Sequence, residues 1–393
     1  MQYRKMGKRI PWEASALGFG CMRFPSKKIL GFIKKVDETE AIRILRHAID
    51  NGVNYVDTAY GYHAGKSEII VGKALQDGYR QKVHLVTKCP MWKVKAAGDV
   101  EKYCREQLAK LQTDHLDIYI FHGLNKSRLK QVKDLNLIGE MEKLKEKGLI
   151  KHFGFSFHDN FQVFKEIIDL YPNWEMAQVQ YNYMDTSNQA TTQGIEYAAS
   201  KGVAVVIMEP LRGGKLANPT PEVKALFDAA TKKRTPVDWA LQFLWNRPEI
   251  STVLSGMSSM EQVQQNLASA DKSGVGTLSN EEVSLLDRVA EIFRKAILIP
   301  CTGCDYCIEA CPRKIKIPRN FALINQLSTS KDDKKARNEY KKLSKQNGSA
   351  ASCKDCKACM ERCPQQIDIP AMLRKVDAVL TGQQPLDQAF PRK

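Results

Sequence analysis

Eight of the eleven cysteines fall in two runs, CTGCDYCIEACP at 301–312 and CKDCKACMERCP at 353–364. Each has the form C-x2-C-x2-C-x3-C-P. At this spacing three thiolates hold one [4Fe-4S] cubane and the fourth ligates the cubane of the other run. The crossed rule assigns Cys301, Cys304, Cys307 and Cys363 to one cluster. Cys353, Cys356, Cys359 and Cys311 go to the other. Zinc also uses C-x2-C, but it takes two pairs rather than two runs of four that each end in Cys-Pro. Both runs continue alike, in CPRKIKIP and CPQQIDIP, which reads as two related lobes facing each other. Between them NFALINQL and DDKKARNEYKKLSKQ read as helices.

A second set of reactive residues lies far upstream. Asp57, Lys88 and His122 each close an apolar run, and Tyr62 follows Asp57 by five positions. A buried lysine needs a carboxylate partner, and an ammonium beside a tyrosine lowers the phenol's pKa. Asp57 would hold Lys88, and Lys88 would tune Tyr62. His122 would donate to a carbonyl oxygen and orient it. Such a set suits proton delivery to an oxygen whose carbon receives hydride. Singly, His122 reads as a core histidine and Tyr62 as a wall residue; together they read as a site.

These residues converge only if the strands carrying them share one end. Eight β-type runs alternate with amphipathic helical stretches: ALGFGCM, NYVDTAY, HLVTKCP, LDIYIFHG, IKHFGFSFH, MAQVQYNYM, VAVVIMEP and STVLSGMS. Eight βα units over about 270 residues predict a closed (β/α)8 TIM barrel of the α/β class, whose strand C-termini form one mouth. A small, mainly helical ferredoxin-type iron-sulfur domain follows. The expected boundaries are 1–280 for the barrel, 281–298 for a connecting helix, 299–380 for the cluster domain and 381–393 for a C-terminal tail. Two glycine-rich stretches miss the phosphate-binding patterns. GFGCMR has Arg23 where a dinucleotide fingerprint takes its third glycine, and GYHAGKS is one residue short of a P-loop. Both sit at strand ends.

The 393-residue chain carries 60 Lys and Arg against 44 Asp and Glu, a formal charge of +16. Two cubanes at about −2 each lower this to about +12. Much of the excess lies between the cysteine runs, which suits docking of an acidic electron-transfer partner. Nucleic acid is not expected, since aromatic interleaving and a recognisable module are missing. The first residues, MQYRKMGKRIPWEAS, lack an apolar leader, and the longest apolar run, VAVVIM, is too short to span a bilayer. Thiolate ligation needs reducing conditions, so a cytoplasmic protein without membrane association is expected. Cys21, Cys89 and Cys104 read as packing residues.

VDTAYGYHAGKSE, VTKCP, LDIYIFHG and GFSFHD resemble the aldo-keto reductase family over about residues 1–290, and the whole chain resembles its subgroup with a C-terminal ferredoxin-type domain. The resemblance implies an NAD(P)H-dependent oxidoreductase for a carbonyl or alcohol. Tyr62 would be the general acid, Lys88 and Asp57 would adjust it, and His122 would position the substrate. It also implies that Ser156 and Gln178 bind the nicotinamide carboxamide. Phe157 replaces a usual Asn, and Met208 the common stacking aromatic. The loops after the seventh and eighth strands would hold phosphates, through Arg212, Gly213, Gly214 and Lys215, and through Gly256, Ser258, Gln262 and Asn266. Gly20, at the first strand end, joins this cofactor set. SGMSSMEQVQQN carries no Lys or Arg, which favours NADH over NADPH. The alternative is an electron-transfer or redox-sensing protein whose barrel binds nicotinamide nucleotide with little turnover.

Overall fold

The computed structural model describes residues 1–29, 33–328 and 333–391. The chain divides into two compact units, Met1–Leu211 with Lys232–Val283, and Arg212–Thr231 with the chain from Ser284 onward. In the first unit eight strands close into a barrel: β1 (Leu17–Gly20), β2 (Tyr55–Asp57), β3 (His84–Cys89), β4 (Leu116–Leu124), β5 (Ile150–Phe157), β6 (Met176–Gln180), β7 (Ala204–Met208) and β8 (Ile250–Ser255). Each pairs parallel with the next, and β8 pairs with β1. All eight strands read from the sequence are present.

Alternation along the strands decides what enters the barrel. Tyr55, Val86, Ile118, Ile120, Met176, Ala204 and Val206 share one buried cluster with Met6, Ile10 and Ala14, contributed by the hairpin Tyr3–Lys5/Glu13–Ser15. Successive side chains point to opposite faces. Two residues further along the same strands, the inner face therefore turns polar at Asp57, Lys88, His122 and Gln178, while β7 places Met208 there. The opposite phase, including Leu85, Tyr119, Phe121, Phe155, Val179 and Ile207, packs in the larger core that includes the helices. Burial of both faces makes each strand a nearly continuous apolar run. Gly154 permits the close approach of β5 and β6, because a Cβ there would stand 2.1 Å from the Met176 carbonyl oxygen.

The helices follow from their sequences. Glu38–Asp50 turns Ala41, Ile44, Leu45, Ala48 and Ile49 inward, and Asp37 caps it by accepting from the Glu40 N–H at 3.4 Å. Such a cap contributes about 1 kcal/mol.

In the second unit each cysteine run leads into a helix that begins with Ile-Pro: Ile317–Leu327 and Ile369–Thr381. Proline suits the first turn, where its missing N–H would have no partner within the helix. Ile315, Ile317, Ile367 and Ile369 are all buried in one core with Phe321, Leu373 and Val376. Asp333–Lys345 is a further helix; Asp332, read as part of it, lies outside the described residues. The expected tail contains a short helix, Leu386–Ala389, and Phe390 is buried in the same core; its last two residues lie outside the described ones. The excursion Arg212–Thr231, expected within the barrel domain, belongs to this second unit. Among the described residues no helix is long and apolar enough to cross a membrane.

Candidate active site and metal centre

At the C-terminal ends of β2 and β3, Lys88 donates to both Asp57 carboxylate oxygens, at 2.6 and 2.7 Å, and to the Thr58 carbonyl oxygen at 2.8 Å. These three acceptors match the three protons of an ammonium. Both side chains are almost fully buried, 1% and 2% exposed. Burial pushes the Asp57 carboxyl up and the Lys88 ammonium down, and each partner's charge opposes the shift. The two-oxygen contact favours the ionised pair. Behind it Gln107 donates to the Lys88 carbonyl oxygen at 3.1 Å and to the buried Glu68 carboxylate, which also accepts from Thr87 at 2.7 Å. The backbone under Lys88 is thereby fixed.

Tyr62 begins the short 3-10 turn Tyr62–Gly65 and is buried. The Lys88 ammonium stands 4.9 Å from its ring centroid. His122 meets the same ring edge-on, with centroids 6.2 Å apart at 87°. The structure thus brings together all four residues singled out at the strand ends. Cys21 joins them as a neutral neighbour, its thiol pushed well up by burial.

Two residues that sequence reasoning missed set His122. Trp92 lies against its imidazole, with ring centroids 5.1 Å apart. Arg128 donates to the carbonyl oxygens of His122 and Gly123, at 3.0 and 2.6 Å. Gly123 bends there with φ +66°, a left-handed conformation that favours glycine, and its N–H donates to Ser156 Oγ at 2.7 Å. The aromatic in CPMWK, just past the third strand, was the available signal for Trp92; nothing local marks Arg128.

Ser156 and Gln178 are register partners on the adjacent strands β5 and β6, and both are buried. Gln178 turns its amide nitrogen to the Met208 sulfur at 3.9 Å, and its Oε1 has no hydrogen-bond partner. Ser156 accepts from Gly123, which leaves its hydroxyl proton to give. A buried acceptor beside a hydroxyl donor complements a primary carboxamide, so these residues fit a nicotinamide.

After β8, Ser258 donates its hydroxyl to the Arg23 carbonyl oxygen at 2.7 Å and its N–H to Gln262 Oε1 at 2.7 Å. Asn266 donates to Ser255 Oγ at 3.0 Å. A Cβ on Gly256 would stand 3.1 Å from Arg23 Cβ, so Arg23 runs beside this loop. SGMSSMEQVQQN itself carries no Lys or Arg, and Arg23 stands just past the end of β1. Gly20 pairs with Asp57 in register. Arg212, Gly213, Gly214 and Lys215 lie in the second unit, Gly213 and Gly214 take φ +69° and +91°, and the Lys215 ammonium donates to the Cys301 carbonyl oxygen at 2.6 Å. The turn alone accounts for both glycines.

In the second unit Cys301, Cys304, Cys307 and Cys363 line one recess with Ile317, Phe321 and Ile369. Burial, with Cys311, Cys353 and Cys356 as neighbours, pushes the Cys359 thiol up to about 11. The recess therefore gathers sulfurs from both runs. Thiols held this way give up their protons when a cation takes the protons' place. One helix holds both runs by their lead-ins. Asn325 accepts from the N–H groups of Leu298 and Ile299, at 3.0 and 2.9 Å, and Asn320 accepts from the Ala350 N–H at 2.9 Å.

The C-terminal region matches the 4Fe-4S dicluster domain over residues 300–367. L-galactose dehydrogenase of Arabidopsis thaliana is 28% identical over 298 residues, 71% of this chain and 91% of that protein. An uncharacterized oxidoreductase, YqkF, of Bacillus subtilis is 26% identical over 317 residues, 73% of this chain and 95% of its own. The holo form of aldo-keto reductase AKR11C1 from Bacillus halodurans superposes with a TM-score of 0.61 at 28% identity, covering 74% of this chain and 96% of that one. The family model described as aldo/keto reductase matches residues 16–291, and the chain, an oxidoreductase with a C-terminal 4Fe-4S dicluster domain, belongs to that family.

Proposed function

We propose that the barrel interconverts a small carbonyl compound and its alcohol with a nicotinamide nucleotide, and that the observation carrying this reading is the convergence of Asp57, Tyr62, Lys88 and His122 at the strand ends. The nucleotide, when bound, supplies or accepts a hydride. Ser156 and Gln178 hold its carboxamide from adjacent strands. Met208 sets the Gln178 amide, and Gly20, Gly256, Ser258, Gln262 and Asn266 line its path along β1 and β8. Tyr62 gives its phenolic proton to the substrate oxygen in reduction and takes it back in oxidation. The Lys88 charge, fixed by Asp57, favours loss of that proton. His122 donates to the same oxygen and orients it, with Trp92 forming the adjacent wall.

The eight cysteines hold two [4Fe-4S] clusters in crossed sets. Support comes from the recess shared by Cys301, Cys304, Cys307 and Cys363 and from the neighbours of Cys359. The clusters serve an acidic electron-transfer partner, for which the exposed lysines of the helix Asp333–Lys345, among them Lys334, Lys335, Lys341 and Lys342, offer a basic face.

The test is protein purified without oxygen, assayed for iron and for carbonyl reduction with both nicotinamides. About eight irons per chain are expected. Tyr62→Phe keeps the ring and removes the proton donor, so turnover falls by about a hundredfold or more with nucleotide affinity retained. Unaltered turnover would assign the proton to another group.

A further inference from the structure

Lys215 is half-buried and donates from its ammonium to the carbonyl oxygen of Cys301, 86 positions downstream and in the same unit. Cys301 opens the first cysteine run, and its sulfur lines the recess with those of Cys304, Cys307 and Cys363.

We propose that Lys215 is the positioning and charge-tuning residue of the cluster held by Cys301, Cys304, Cys307 and Cys363, and not a nucleotide-phosphate ligand. The inference rests on the two-cluster reading. A cubane gains one negative charge on reduction, so a fixed cation beside it stabilises the reduced form and raises its reduction potential. The Lys215 contact lies at Cys301, a member of the first set and not of the second. The two clusters therefore differ in how each couples to this side chain. The hydrogen bond to the Cys301 carbonyl also anchors the start of the run, whose lead-in Asn325 already holds through the N–H groups of Leu298 and Ile299.

The experiment compares the full chain with Lys215→Met and Lys215→Arg, purified without oxygen, by iron content, potentiometric titration followed by electron paramagnetic resonance, and NADH and NADPH binding. In Lys215→Met one of the two midpoints falls while the other stays, nucleotide affinities change by less than about twofold, and Lys215→Arg returns the shifted midpoint toward the wild-type value. Loss of about half the iron in Lys215→Met, restored in Lys215→Arg, would support the positioning role equally. Unmoved midpoints with full iron would overturn the inference alone. So would a fall of about tenfold in nucleotide affinity with the midpoints unchanged. Wild-type protein without iron would overturn the cluster reading and this inference with it.

Discussion

The barrel and the cysteine unit hold their reactive groups in opposite ways. In the barrel the polar residues sit on a scaffold completed by others: Asp57, Lys88 and His122 stand at the ends of strands whose earlier positions are packed by Tyr55, Val86 and Ile118. In the C-terminal unit Cys307, Cys311 and Cys359 are themselves members of the hydrophobic core. The barrel can lose a reactive group and keep its shape, apart from the buried Asp57 and Lys88 charges. The cysteine unit loses structure with its ligands, since metal ligation contributes folding free energy.

The contrast is broken most sharply at Cys363. Cys363→Ser removes a sulfur from the recess of Cys301, Cys304 and Cys307, fifty or more positions before it. Iron falls by about half, with loss of the cluster belonging to the first run rather than to the sequence neighbours of Cys363. Loss of the other cluster would refute the crossed sets. The barrel's carbonyl reduction persists in this variant.

Lys88→Met tests the exception within the barrel. It leaves the Asp57 carboxylate buried without its cation, which costs about 3–5 kcal/mol, and it removes the charge facing Tyr62. Turnover falls by about a hundredfold or more and thermal stability drops. Adding Asp57→Asn removes the stranded charge, so the double variant recovers stability but not turnover. Recovery of both would reduce the pair to a structural role.

The same contrast governs what was legible. The cysteine ligands are contiguous in sequence, and their spacing is the site. In the barrel the strands, and the polar residues ending them, stood out because an Asp, a Lys and a His at the close of apolar runs conflict with a plain core. The phase of each strand was hidden, because helices cover the outer face and both faces are apolar. Ser156 and Gln178 entered through family resemblance. Their register pairing, and the orientation of the Gln178 amide toward Met208, needed the folded sheet. Arg128 depends on the left-handed bend at Gly123, and Lys215 on a partner 86 residues away, distances no local pattern spans.

A smaller effect is expected at Arg23, which the closing of the barrel brings beside Gly256 and Ser258. If its guanidinium supplies the base missing from the loop after β8, Arg23→Ala weakens NADPH binding by about tenfold, the scale of one charge-assisted hydrogen bond, and NADH binding by less. Equal changes for both nucleotides would return the preference to NADH. Titration calorimetry with both nucleotides on the wild-type protein and Arg23→Ala separates the cases.

The smallest expected effect is none at all, and it bears on whether the two units share electrons. A nicotinamide gives up two electrons as a hydride, whereas a cubane accepts one at a time. Exchange between them needs a group that splits the pair, commonly a flavin, and the four residues at the barrel mouth need only a nucleotide and a carbonyl. Barrel reduction is therefore expected to proceed without the clusters. Mixing NADH with the oxidised full chain, with no carbonyl compound and no added flavin, should leave the visible cluster absorbance unchanged over the time of many carbonyl turnovers. Folded Cys301→Ser should retain aldehyde reduction. Rapid, stoichiometric bleaching would overturn the separation and require a bound electron-splitting group. Retained absorbance together with retained turnover leaves the clusters to serve a separate partner, which the basic helix Asp333–Lys345 would recruit with an affinity that falls as salt rises.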